Sequence, residues 1–75
     1  MEKLTQLQIG HSGKIIEFTD HELAPKLIEM GCLPGEIVVL DQIAPLGCPL
    51  VLKIYDCKIS IRKSEAETIL ITRNF

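Results

Sequence analysis

Apolar and polar residues fall into short blocks punctuated by Gly and Pro. After Gly10-His11-Ser12-Gly13, the run Lys14-Ile15-Ile16-Glu17-Phe18 is β-branched and bounded by turn formers, which predicts a strand. Thr19-Asp20-His21-Glu22 offers a capping box, with Thr19 at the cap and Glu22 three residues on. Leu23, Leu27 and Met30 then share one helical face. Gly31 supplies a left-handed stop, with Pro34 just beyond it. Pro25 inside this stretch removes a donor and clashes with the carbonyl of His21. The helix is therefore either kinked there or starts near Pro25. A short regular helix over about 24–31, preceded by a looser turn, fits best.

Residues 36–43 hold the continuous apolar run Val38-Val39-Leu40, bounded by Pro34-Gly35 and Ala44-Pro45, which suits a strand buried on parts of both faces. Residues 50–55 and 57–62 read as two further strands. In the second, Ile59 and Ile61 alternate with Lys58, Ser60 and Arg62, so one face is wet. A turn at Tyr55-Asp56 sets Ile54, Leu52 and Leu50 opposite Cys57, Ile59 and Ile61, all apolar. A turn at Asp56-Cys57 slips the pairing by two and keeps the same faces, so both registers stand. Ser64-Glu65-Ala66-Glu67 makes a second capping box over one helical turn, and 68–72 closes as a final strand.

The order is thus β, α, three β, a helical turn, β, and the fold class is mainly β. Five short strands in so small a chain suit a closed or nearly closed barrel, because closure removes edges that template aggregation. Leu27 and Met30 of the helix plug one open end. Ile16, Leu27, Val39, Leu52, Ile59, Ile61 and Ile69 are expected in the core.

Composition narrows the functional classes. The chain has 75 residues, ten acids against eight bases, and 47% apolar residues. Surface scaling for this mass gives a folded area of roughly 4,600 Å², enough for one small core over residues 1–75. An enzyme with a deep, walled cleft is excluded, and the chain is too apolar to be disordered. A net charge of −2 with scattered bases opposes nucleic-acid binding. The longest uncharged run, residues 42–52, is broken by two prolines and is too short to span a membrane. The start, Met1-Glu2-Lys3-Leu4-Thr5-Gln6, lacks the apolar stretch of a signal peptide. Three cysteines, an odd number without a C-x-x-C, fit a reducing, cytoplasmic setting.

Three motifs in fixed order then come together. They are Leu27-x-x-Met30-Gly31-x-x-Pro34-Gly35, Ala44-Pro45-Leu46-Gly47-x-Pro49, and Ile59-Ser60-Ile61-Arg62-Lys63-x-Glu65-Ala66, with Gly10-x-x-Gly13 ahead of them. Together they resemble the FeoA family, small cytosolic components of bacterial ferrous iron uptake. The resemblance implies an SH3-like β-barrel, shared with the C-terminal domains of iron-dependent repressors. It also implies a non-enzymatic accessory role beside FeoB, the transporter with a cytosolic GTP-binding domain. Two positions depart from the family pattern: Cys48 stands where an acid is usual, and Cys32 where a plain apolar residue is.

The loop Ala44, Pro45, Leu46, Gly47, Cys48, Pro49 is the candidate partner-binding segment. Two prolines stiffen it, and rigid loops lose less entropy on binding. The alternative is a rigid connection with Leu46 tucked inward. Cys32, Cys48, Cys57, His11 and His21 are the soft metal ligands, and no spacing among them forces convergence, so no metal site and no cofactor are expected. Ser12, Ser60 and Ser64 lack a recognisable base partner, no phosphate loop occurs, and no catalysis is expected. Phe18, Tyr55 and Phe75 are the only aromatics, too few for a groove that takes proline-rich peptides. A metal-sensing domain akin to the repressor barrels is the other functional class in play.

Overall fold

A computed structural model describes residues 1–75. Six antiparallel strands form one sheet, in chain order β1 (Glu2–Lys3), β2 (Ser12–Phe18), β3 (Ile37–Ile43), β4 (Leu50–Ile54), β5 (Cys57–Ile61) and β6 (Ile69–Thr72). Helix α1 (Ala24–Met30) lies between β2 and β3, and α2 (Lys63–Ala66) precedes β6. The spatial order is β1-β6-β2-β3-β4-β5. The architecture is the expected small SH3-like one, with six strands rather than five. The additional strand is β1, too short to show a period, and it pairs with β6 through Glu2 and Lys3. Pairing does not close the sheet: β1 and β5 are its two edges.

Of the two registers open for the β4–β5 hairpin, the structure adopts the Tyr55-Asp56 turn, with Leu50 opposite Ile61, Leu52 opposite Ile59 and Ile54 opposite Cys57. The turn holds Tyr55 at φ 55°, in the left-handed region. A side chain with a Cβ carries a steric cost of about 1–2 kcal/mol there.

Leu27, Val38, Leu40, Leu52, Ile61, Ile69 and Ile71 are among the 14 apolar residues of one core. Ile59 packs against it from a half-buried position. Two expected core residues are displaced. Ile16 is 36% exposed, and Ile15 takes the inner place. The cause is a bulge: Ile15 faces Ile71 and Glu17 faces Leu70, so Ile16 is the extra residue and parity shifts across it. Val39 is only half-buried, while Val38 and Leu40 point inward. Leu40 is fixed opposite Leu52, and Val38 opposite the buried Gly13, which settles a parity that three apolar residues in a row leave open.

Helix α1 carries Pro25 within its first two positions and ends at Gly31 with φ 108°. Leu27 is fully buried and Met30 packs against the core, so the helix plugs the barrel as the pattern implies. Neither capping box forms as expected. Asp20 Oδ1 accepts from the backbone N–H groups of Glu22 (3.0 Å) and Leu23 (3.2 Å), doing what Thr19 was assigned. Thr19 instead donates from Oγ1 to the carbonyl of Thr68 across the sheet end. At α2 the box sits two residues earlier than Ser64-Glu67: Glu65 Oε1 accepts from the N–H of Arg62 at 2.8 Å. Glu65 is drawn there because its other oxygen meets Lys26 Nζ of α1 at 2.7 Å.

Candidate functional site

Residues 44–49 join β3 to β4. The Ala44 N–H donates to the Pro49 carbonyl at 3.1 Å, and the Gly47 N–H to the Ala44 carbonyl at 2.7 Å. The second bond closes a β-turn with Pro45 and Leu46 in its middle. Proline pre-sets the backbone at the first of these positions, and Gly47, at φ 85°, makes the exit. The Cys48–Pro49 peptide is cis. Leu46 is thereby held at the tip and is 96% exposed, which overturns the inward-tucked alternative. Pro45, Cys48 and Pro49 are exposed, and Ala44 and Gly47 are half-buried.

The loop leans on the start of α2. Cys48 Sγ accepts from the N–H of Lys63 at 3.4 Å. A recess of about 170 Å³ between them is lined by Thr5, Ile43, Gly47, Leu50 and Lys63. The loop thus presents an apolar tip at Leu46, with Lys63 beside its Gly47-Cys48 end.

Helix α2 is itself tied down by Glu65. Its carboxylate accepts from Lys26 Nζ and the Arg62 N–H, and these hold its pKa below the ordinary glutamate value. A carboxyl depressed in the folded state contributes stability above its unfolded pKa and loses it as pH falls through the folded value. Glu65→Gln is thus expected to melt below the parent at neutral pH. The gap should narrow as pH is taken down through the ordinary glutamate range and beyond. Thermal melts across that series check it, and a gap that does not vary with pH contradicts it.

The cysteines lie apart in role. Cys32 is fully buried within the core, and burial, then the nearby Glu65 charge, push its thiol up to about 11. Cys48 and Cys57 are exposed. No three His, Cys, Asp or Glu side chains are grouped to hold a metal ion.

A second surface is not evident from periodicity. An apolar groove of about 260 Å³ opens between the end of α1 and the β4–β5 hairpin, lined by Met30, Leu33, Ile54, Tyr55, Cys57 and Ile59, with Gly31 and Glu36. Leu33 and Tyr55 are 41% and 78% exposed. Hydrogen bonding to Glu36, then its charge, hold the Tyr55 phenol above its ordinary pKa. In the sequence these residues are scattered over 30 positions. The hints are Leu33, outside the helical period between Gly31 and Pro34, and an aromatic ring in a tight turn.

No helix is long and apolar enough to cross a membrane. The FeoA domain family model matches residues 2–73. No curated protein sequence matches the chain. Among solved structures, iron(II) transport protein A from Clostridium thermocellum is 41% identical with a TM-score of 0.85, over 93% of this chain and 44% of that one. The chain thus spans less than half the length of that relative. A FeoA-like protein from Clostridium acetobutylicum is 28% identical with a TM-score of 0.88, over 99% of this chain and 87% of the other. FeoA from Stenotrophomonas maltophilia, an SH3 domain protein solved with zinc, is 25% identical with a TM-score of 0.79, over 95% and 89%. A manganese-dependent transcriptional repressor shares the fold alone, at 11% identity and a TM-score of 0.83, over 95% of this chain and 40% of that one. With 72 of its 75 positions under one family model and the barrel common to these relatives, the chain belongs to the FeoA family.

Proposed function

We propose that this protein is an accessory of ferrous iron transport, and that residues 44–49 dock on the cytosolic GTP-binding part of a FeoB-type transporter. Family membership supports the pathway, since relatives carry ferrous iron transport in their names. The observation that carries the docking surface is Leu46, almost wholly exposed at the tip of a loop held by two prolines and two internal hydrogen bonds. A tip so restrained loses little freedom on binding, and an apolar side chain that enters a desolvated pocket of a partner, with neighbours that exclude water, can anchor a contact.

The test is capture of the transporter's soluble domain by the parent and by Leu46→Asp, with and without guanine nucleotide and ferrous iron. Burying a carboxylate without a partner is costly, so the variant should bind at least about tenfold more weakly. Its melting temperature should stay close to that of the parent, because Leu46 is almost wholly exposed and is not part of the core. A folded variant captured as well as the parent overturns the proposal.

The metal-sensing reading draws support from the zinc complex of the Stenotrophomonas maltophilia relative. Calorimetry of the reduced protein with zinc and with anaerobic ferrous iron separates the two. A stoichiometric micromolar site lost in Cys48→Ser or Cys57→Ser favours the sensor.

A further inference from the structure

The loop tip and the groove are a knob and a socket on the same molecule. The knob is Leu46, almost wholly exposed, and the groove of about 260 Å³ is large enough to take it together with neighbouring loop atoms. Their charges also match. Glu36 is the one charged residue lining the groove, while Lys63 lines the recess beneath Gly47 and donates its N–H to Cys48. Yet the two cannot meet within one chain. The loop ends where β4 begins at Leu50, and the groove starts where β4 ends at Ile54. Five extended residues hold them roughly 14 Å apart at opposite ends of a rigid strand.

We propose that the occupant of the groove is the loop of a second copy, with Leu46 seated among Met30, Leu33, Ile59 and Tyr55, and Lys63 brought toward Glu36. The contact joins unlike surfaces, so every added copy leaves a free knob at one end and a free socket at the other. Association is head-to-tail and open-ended. It is weak, because one side chain and its surround fall well short of the roughly 1,200 Å² that a stable interface buries. It also occupies the loop proposed above for the transporter, so a chain seated in a neighbour is withheld from docking. The self-contact itself rests only on the groove and the knob, and it is measured in the purified protein alone.

The experiment is sedimentation velocity over a concentration series reaching the millimolar range. Two variants are included: Leu46→Asp, which spoils the knob, and Leu33→Asp, which spoils the socket. Both positions are exposed, and a cooperative thermal melt verifies each fold. The parent should show an average mass rising steadily with concentration, past that of a dimer. Each variant alone should remain at the monomer mass. An equal mixture should form a one-to-one pair and stop there, since one intact knob meets one intact socket and the remaining ends place Asp against Asp. A parent that stays monomeric overturns the proposal. So does a plateau at the dimer that only one variant abolishes, or a mixture that fails to pair. Loss of self-association with transporter capture intact would fall on this inference alone.

Discussion

Ile61→Ala is expected to cost about 2–5 kcal/mol, the range for removing most of a buried aliphatic side chain. Ile61 is 1% exposed, faces Leu50 across the β4–β5 ladder, and belongs to the single core that also holds Leu52 and Ala66. Little can collapse to fill the space, because β5 is held by β4 on one side and the chain turns into α2 two residues later. A domain of this size has a total stability of about 4–11 kcal/mol, so the variant stands near the edge of folding. Urea titration gives the answer directly: the midpoint should fall sharply with the slope unchanged. A midpoint equal to that of the parent would mean that the inward face of β5 is wrongly assigned.

Gly13→Ala is expected to destabilise the fold by crowding its core. Gly13 is buried in β2, and a Cβ there would lie 2.6 Å from Cδ1 of Ile71, with Cβ and Cγ1 of the same residue at 3.3 and 3.4 Å. Ile71 is itself fully buried, so its side chain has nowhere to retreat. Overpacking of this kind costs about 1–3 kcal/mol. Removing Cδ1 with Ile71→Val should cost about 0.5–1.5 kcal/mol in the parent. In the Gly13→Ala background it should cost less or restore stability, because the closest clash goes with it. A double-mutant cycle measured by denaturant unfolding reads this coupling. Strict additivity would show that the two residues do not press on each other.

Much of the architecture was legible because local chemistry and global pairing agree. The inward faces of β4 and β5 follow from six apolar residues that stay on one side in either hairpin register, and α1 starts and stops where Pro25 and Gly31 require. The choice of the Tyr55-Asp56 turn over Asp56-Cys57 could not be read, because both keep the same faces. The errors arise where a tertiary contact overrides a local signal. The bulge at Ile16 has no sequence marker, since a strand of β-branched residues reads the same with or without an extra residue. The box at α2 forms on Arg62 and Glu65 rather than on Ser64 and Glu67, because Lys26, 39 residues away in the chain, fixes the Glu65 carboxylate. For the candidate site, the stiffness of residues 44–49 could be read from two prolines, but whether Leu46 points in or out could not. The groove was illegible because it is assembled from the end of α1, the residue before β3 and the β4–β5 hairpin, and only the fold brings these together.

The two sheet edges differ in a way that bears on aggregation. On one side stands β1, with two paired residues leading at once into a 3-10 turn; on the other, β5 offers five. Cross-strand growth needs two usable edges on every molecule, as amyloid stacking does. Here there is only one of any length. Two molecules that pair through β5 exhaust each other's template, and the assembly terminates at that step. Partial order in the edges thus acts as a chain stopper: a misfolding route that starts from the intact barrel closes on itself, and fibril growth requires the barrel to open first.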